Sequence, residues 1–143
     1  TANRRQRQMC IRDRYYPILS GVISGNEAKE RLNKKWDIFV IENIGCKCVS
    51  DQPWVTVAET AELAIALLKM GREKDAKQML SWSHKCRDDD DVYWMGKQYE
   101  QNVFWPAEKP PWTSASVILA YDAIFKISRG SELFLIDGLR NSL

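Results

Sequence analysis

The stretch from Ala61 to Leu68 contains one polar residue, Glu62. A helix that is apolar nearly all round must be covered on every side, so this segment demands a core element with neighbours around it. Ala58, Ala61, Ala64 and Ala66 keep it slender, which lets those neighbours approach closely. Thr56-Val57-Ala58-Glu59 fits a capping box and sets the start at Thr56, with Glu59 as the reciprocal partner. A second slender apolar helix is predicted from Ser114 to about Phe125, interrupted by Asp122, for which a structural ion pair is expected. The two begin alike. Pro53-Trp54-Val55-Thr56-Val57-Ala58 and Pro111-Trp112-Thr113-Ser114-Ala115-Ser116 both read Pro-Trp-x-hydroxyl-x-small, 58 residues apart. This is a weak internal repeat, and it points to stacked helical hairpins with buried inner helices.

The outer members are more polar. Asn26 caps a helix reaching about Ile41, with Leu32, Trp36, Phe39 and Val40 at helical spacing. Arg72 to about His84 is amphipathic, with Ala76, Met79, Leu80 and Trp82 turned inward. Residues 45–52 read as a loop. Arg87 to Pro111 has no helical period and leaves room for short strands. It carries Tyr93, Trp94, Tyr99, Phe104 and Trp105. Long irregular connections in small domains are often functional. Residues 131–139 allow a short final helix.

The chain carries a formal charge of +2 over 143 residues, with Arg concentrated at the N-terminus. Residues 4–14, RRQRQMCIRDR, resemble the translation of a transposon-type sequencing-library adapter, in frame from Arg4 to Asp13 and into the codon of Arg14. Residues 1–14 are therefore expected to be an artefactual, disordered segment that packs against nothing, and 15–143 to be a fragment of one domain. Setting aside 1–14 removes five Arg and one Asp, and the charge becomes −2. The basic arm that would argue for nucleic acid disappears with it, and no nucleic-acid partner is expected. No apolar stretch is long enough to span a bilayer. Three cysteines remain, Cys46, Cys48 and Cys86, an odd and sparse set that fits a reducing, cytoplasmic setting. Cys46-x-Cys48 and His84-x-Cys86 supply four soft ligands, but one intervening residue is too few for the common zinc knuckle. Free thiols are expected, with no metal and no cofactor.

Five segments together resemble bacterial proteins described as prenyltransferases, within the superfamily of terpenoid cyclases and protein prenyltransferases. They are Tyr15-Tyr16-Pro17-Ile18-Leu19, Asp51-Gln52-Pro53-Trp54-Val55-Thr56 with Ala58-Glu59-Thr60-Ala61-Glu62, Tyr93-Trp94-x-Gly96, Trp105-Pro106 and Trp112-Thr113-x-Ala115. The resemblance covers about Tyr15 to Phe134. It implies an all-α fold, a partial (α/α) toroid forming the C-terminal part of a larger ring, whose missing N-terminal part would be its partner. The superfamily's chemistry transfers poorly. Zinc-dependent prenyltransferases need an Asp, a Cys and a His, and His84 is the single histidine. Asp88-Asp89-Asp90-Asp91 satisfies an Asp-x-Asp-Asp pattern, but Val92-Tyr93-Trp94 follows where an inner helix should begin, and the run reads as a solvated acidic turn.

Glu62 is the focus of the site prediction. An unpaired carboxylate in an apolar helix is costly, so it needs a partner or an aqueous cavity. Glu62, Glu59 and Asp51 are the candidate acid/base groups. Trp54, Thr56, Tyr93, Trp94, Trp105 and Trp112 are the candidate ligand-binding residues, and Trp54 and Trp112 should lie at one mouth of the ring. Three readings follow. The first is a terpenoid cyclase or prenyltransferase-like toroid that binds or transforms a lipid-like or glycan-like small molecule. The second is a carbohydrate-active hydrolase resembling six-hairpin glycosidases. The third is a helical-repeat interaction module without catalysis, so catalysis itself stays open.

Overall fold

The computed structural model describes residues 9–136. Six α-helices and five short strands are formed there: α1 Arg12–Leu19, α2 Gly25–Asn33, α3 Trp36–Phe39, β1 Val40–Ile41, β2 Gly45–Lys47, β3 Trp54–Thr56, α4 Val57–Lys69, α5 Glu73–Ser83, β4 Gly96–Gln98, β5 Val103–Phe104 and α6 Pro111–Phe125. Short 3-10 turns follow α5 and α6.

The all-α expectation is wrong. The five strands form one antiparallel sheet in sequence order, so the fold is mixed α and β. None of the strands exceeds three residues. Such a strand is too short to show an alternating pattern, and only pairing between distant segments reveals it. The helix expected from Asn26 to Ile41 also breaks. It stops at Asn33, resumes for one turn, and its last two residues become β1. The segment read as the 45–52 loop begins with β2.

The helical core follows the sequence more closely. In α4, ten of thirteen residues are buried, as an all-round apolar helix requires. It is wrapped by α5, α6, α1 and β2. The small faces at Ala61, Ala64 and Ala66 have no exposed surface, so the neighbours lie directly on its backbone. Thr60 joins the sheet to this helix. Its hydroxyl donates to Thr56 O at 2.6 Å and accepts from Cys46 N at 2.9 Å. Gly45 is required beside it: φ is +149°, and a Cβ would sit 2.8 Å from Thr60 Oγ1.

The second slender helix departs from its twin. One face of α6 is buried through Thr113, Ser116, Val117, Ala120, Ala123 and Ile124. The other leaves Ile118, Leu119, Tyr121 and Phe125 in solvent. Among the described residues Asp122 does not form the expected ion pair. Its carboxylate accepts from Ser128 N and Oγ, both at 2.7 Å, and closes the turn after the helix. α4 and α6 start at the same end of the molecule. Met95 links them, accepting from Val57 N and donating to Glu108 O just before α6.

The expectation that residues 1–14 pack against nothing fails for 9–14, while 1–8 lie outside the described residues. Ile11 is 2% exposed in the core and Met9 packs against it. Ile11 N donates to Cys48 O at 3.1 Å, and Ser50 N donates to Met9 O at 3.0 Å. Ile11 belongs to the core cluster with Met9 packed against it, and Arg12 finds two carboxylates on α4.

Candidate functional site

Glu59 and Glu62 stand one turn apart on the first half of α4, on the side facing α1. Residues three apart on a helix share a face. Arg12 spans them. Its Nη2 lies 2.9 Å from Glu59 Oε1 and its Nε 3.3 Å from Glu62 Oε2. The Tyr15 hydroxyl donates a short hydrogen bond to the same Glu62 oxygen. The Cys48 thiol donates to Glu59 Oε1 at 3.6 Å. Glu59 is 5% exposed, whereas the Glu62 side chain keeps about a quarter of its surface.

The electrostatics follow from this crowding. Burial, reinforced by the Glu62 carboxylate, holds the Tyr15 phenol well above its usual range, so it remains a neutral donor. Burial and Glu62 shift Tyr16 the same way. Burial disfavours the charge on Arg12, but Glu59 and Glu62 outweigh that and strengthen its hold on the proton. The Cys48 thiol is pushed up to about 12 by burial and by Glu59. An ordinary thiol ionises near ~8.5, so Cys48 stays protonated where a free cysteine is reactive. Iodoacetamide at pH 8.5, followed by mass spectrometry, should therefore label Cys48 about tenfold or more slower than a model peptide thiol. Labelling at the peptide rate would mean that Glu59 does not face Cys48.

Glu62 borders a cavity of about 680 Å³ between α1, α4 and α6. Its wall includes Tyr16, Pro17, Leu19, Val22, Ile65, Leu119 and Phe134, with the hydroxyls of Ser20 and Ser116. Among the described lining residues, Glu62 alone is charged. An apolar pocket with a few polar groups is the usual form of a small-molecule site.

The remaining predicted site residues are dispersed. Asp51 is exposed on the turn before β3. Thr56 occupies the N-cap position, but its side chain makes no capping bond and its buried Oγ1 has no partner among the described residues. The capping box is thus not formed. Glu59 is drawn to a guanidinium instead, a stronger partner for a buried carboxylate than a backbone amide. Tyr93 turns away, with its hydroxyl 2.5 Å from His84 Nδ1. Trp94 stacks on Phe104 with Lys109 over its face. Trp54 and Trp105 meet edge to face with centroids 5.5 Å apart. Trp112 is 60% exposed and has no ring partner among the described residues. Trp54 and Trp112 stand beside the starts of α4 and α6, at one end of the molecule, and no ring contact joins Trp54, Trp94 and Trp112 among the described residues. The acidic run forms a turn in which Asp88 Oδ1 accepts from Asp90 N and Val92 N, while Oδ2 pairs with Lys109. No cluster of three His, Cys, Asp or Glu side chains suited to a metal occurs among the described residues.

Sequence reasoning missed Tyr15, Tyr16 and Arg12 as members of the site. One signal was available: Glu62 in an apolar helix requires a donor, and Tyr15-Tyr16 offers one. Among the described residues no helix is long and apolar enough to cross a membrane.

No protein-family profile matches the chain. Over 120 residues it is 41% identical to an MMP endo-(1,4)-3-O-methyl-alpha-D-mannosidase of Mycolicibacterium hassiacum, a match covering 84% of this chain and 33% of that enzyme. The similarity thus runs to a glycosidase, which corrects the prenyltransferase-like expectation, and the chain spans about one third of the length of the relative it matches.

Proposed function

We propose that this chain is part of a glycoside hydrolase acting on an α-linked, partly O-methylated mannose oligosaccharide. The cavity beside Glu62 carries this reading. Its wall is largely apolar and suits methyl ethers, and its one charged group suits the polar glycosidic centre. Likeness to an endo-mannosidase supports the same substrate class.

In this reading Glu62 exchanges a proton with the glycosidic oxygen or with the attacking water. Tyr15 holds the carboxylate by its hydroxyl. Glu59, more deeply buried, maintains the negative field that stabilises a cationic sugar transition state. Residues 4–14 are proposed to be library-derived, as their resemblance to an adapter implies. Arg12 would then occupy by charge complementarity a place that the natural chain or the substrate fills. The lipid-like alternative shares the apolar wall but gives Glu62 nothing to do.

The test uses the full-length protein and three substrates: an α-(1→4)-linked 3-O-methylmannose oligosaccharide, its unmethylated counterpart, and a maltooligosaccharide. Internal cleavage of the first, with kcat/KM about tenfold or more above the second, is expected from a few buried methyl contacts. No cleavage of any of them would reject the hydrolase reading.

A further inference from the structure

A second concave surface lies on the sheet, sharing no lining residue with the Glu62 cavity. Its volume is about 580 Å³. Trp54, Gln98 and Val103 occupy one cross-strand row, since Trp54 pairs with Gln98 and Gln98 with Val103. Directly paired residues project from the same face of a sheet. Gln52, Gln101 and Trp105 complete the groove.

Three features of this surface point to one ligand chemistry. First, no charged side chain is among its described lining residues, although charged residues make up 28% of the chain. Second, the Trp105 indole is 57% exposed, while its carbonyl is held by Trp54 Nε1 at 2.5 Å. An aromatic face is thus presented to solvent on a braced backbone. Third, the primary amides of Gln52 and Gln101 have no hydrogen-bond partner among the described residues. Gln98 Oε1 accepts from Gln101 N at 2.6 Å, which fixes the turn between β4 and β5. Neutral amides that both donate and accept match vicinal hydroxyls, and an exposed indole matches the apolar face of a pyranose ring. A nucleic acid or acidic peptide would call for cations here, and none lines the groove among the described residues.

We infer that the Trp54–Trp105 groove is a binding subsite for a neutral oligosaccharide chain, separate from the carboxylate cavity. The inference deepens the hydrolase reading and rests on it for the sugar class. The two sites are joined by a short piece of backbone. β3 runs directly into α4, and Trp54 is about 16 Å of chain path from Glu62 at ordinary strand and helix rises. A groove that holds several sugar units at that distance suits cleavage within a chain rather than at its end.

The experiment measures binding by calorimetry in the Glu62→Gln background, where the probe is not consumed. The probe is the α-(1→4)-linked 3-O-methylmannose oligosaccharide, with its monosaccharide as control. Trp105→Ala should weaken oligosaccharide binding about tenfold, the loss expected of an aromatic anchor, and Gln52→Ala should weaken it by a smaller factor. Both positions are solvent-facing, so the thermal midpoint should be unchanged, and Trp105→Phe should restore part of the affinity. Unaltered affinity in both variants, with the thermal midpoint preserved, would overturn the subsite. The two proposals fail separately. Binding that depends on Trp105 in a protein that cleaves none of the three sugars keeps the groove and rejects the hydrolase. Cleavage with affinity indifferent to Trp105 and Gln52 does the reverse.

Discussion

Glu62→Gln in the full-length protein should reduce turnover by about 10²–10⁴-fold, the usual loss when a general acid or base is removed. The thermal midpoint should barely move. Glu62 retains about a quarter of its surface, and an amide oxygen can still accept from the Tyr15 hydroxyl. Arg12 keeps its shorter contact to Glu59. The pair of measurements decides the role. Lost turnover with a preserved midpoint assigns Glu62 to chemistry. A midpoint lowered by many degrees with intact turnover makes it a structural ion-pair residue. Glu59→Gln is a useful contrast, because Glu59 is nearly enclosed and its loss should affect stability and turnover together.

Arg12→Ala should destabilise this chain by about 1–3 kcal/mol, less than for a fully buried pair because Arg12 is partly solvated. The cost arises from what remains. Glu59 would be left in the interior with only the Cys48 thiol as donor among the described residues. Combining Arg12→Ala with Glu59→Gln should therefore recover most of the loss, since a neutral amide tolerates burial better than an unpaired charge. Urea unfolding of the two single variants and the double variant forms the cycle. Additive losses would show that Arg12 stabilises through packing alone. Recovery would support reading Arg12 as a stand-in for another cation or for a ligand at this point.

The exposed face of α6 has a similar physical basis. Ile118, Tyr121 and Phe125 are each side chains whose full burial contributes about 1.5–3 kcal/mol. Their exposure is why the second slender helix does not match the first.

Sequence alone determined the elements whose signal is local and dense. Residues 61–68 read as a buried helix from their single polar group, their alanines and the start signal at Thr56, and six of the eight are buried. The amphipathic outer helix from Glu73 was legible from its period, and Glu62 stood out as a carboxylate needing a partner. Tertiary structure decided everything that depends on distant segments meeting. Strands of two or three residues carry no periodicity, so the sheet exists only through its pairing. Glu59 looked like a capping residue because a helix start reads locally, but buried charge obeys the nearest cation, and Arg12 came from 47 residues away. The tryptophans were conspicuous by count, yet their ring partners are set by backbone register. Trp54 met Trp105 because β4 pairs with β3 on one side and β5 on the other and Gly96 holds Trp105 N, and Trp112 has no ring partner among the described residues because its helix turns that side outward.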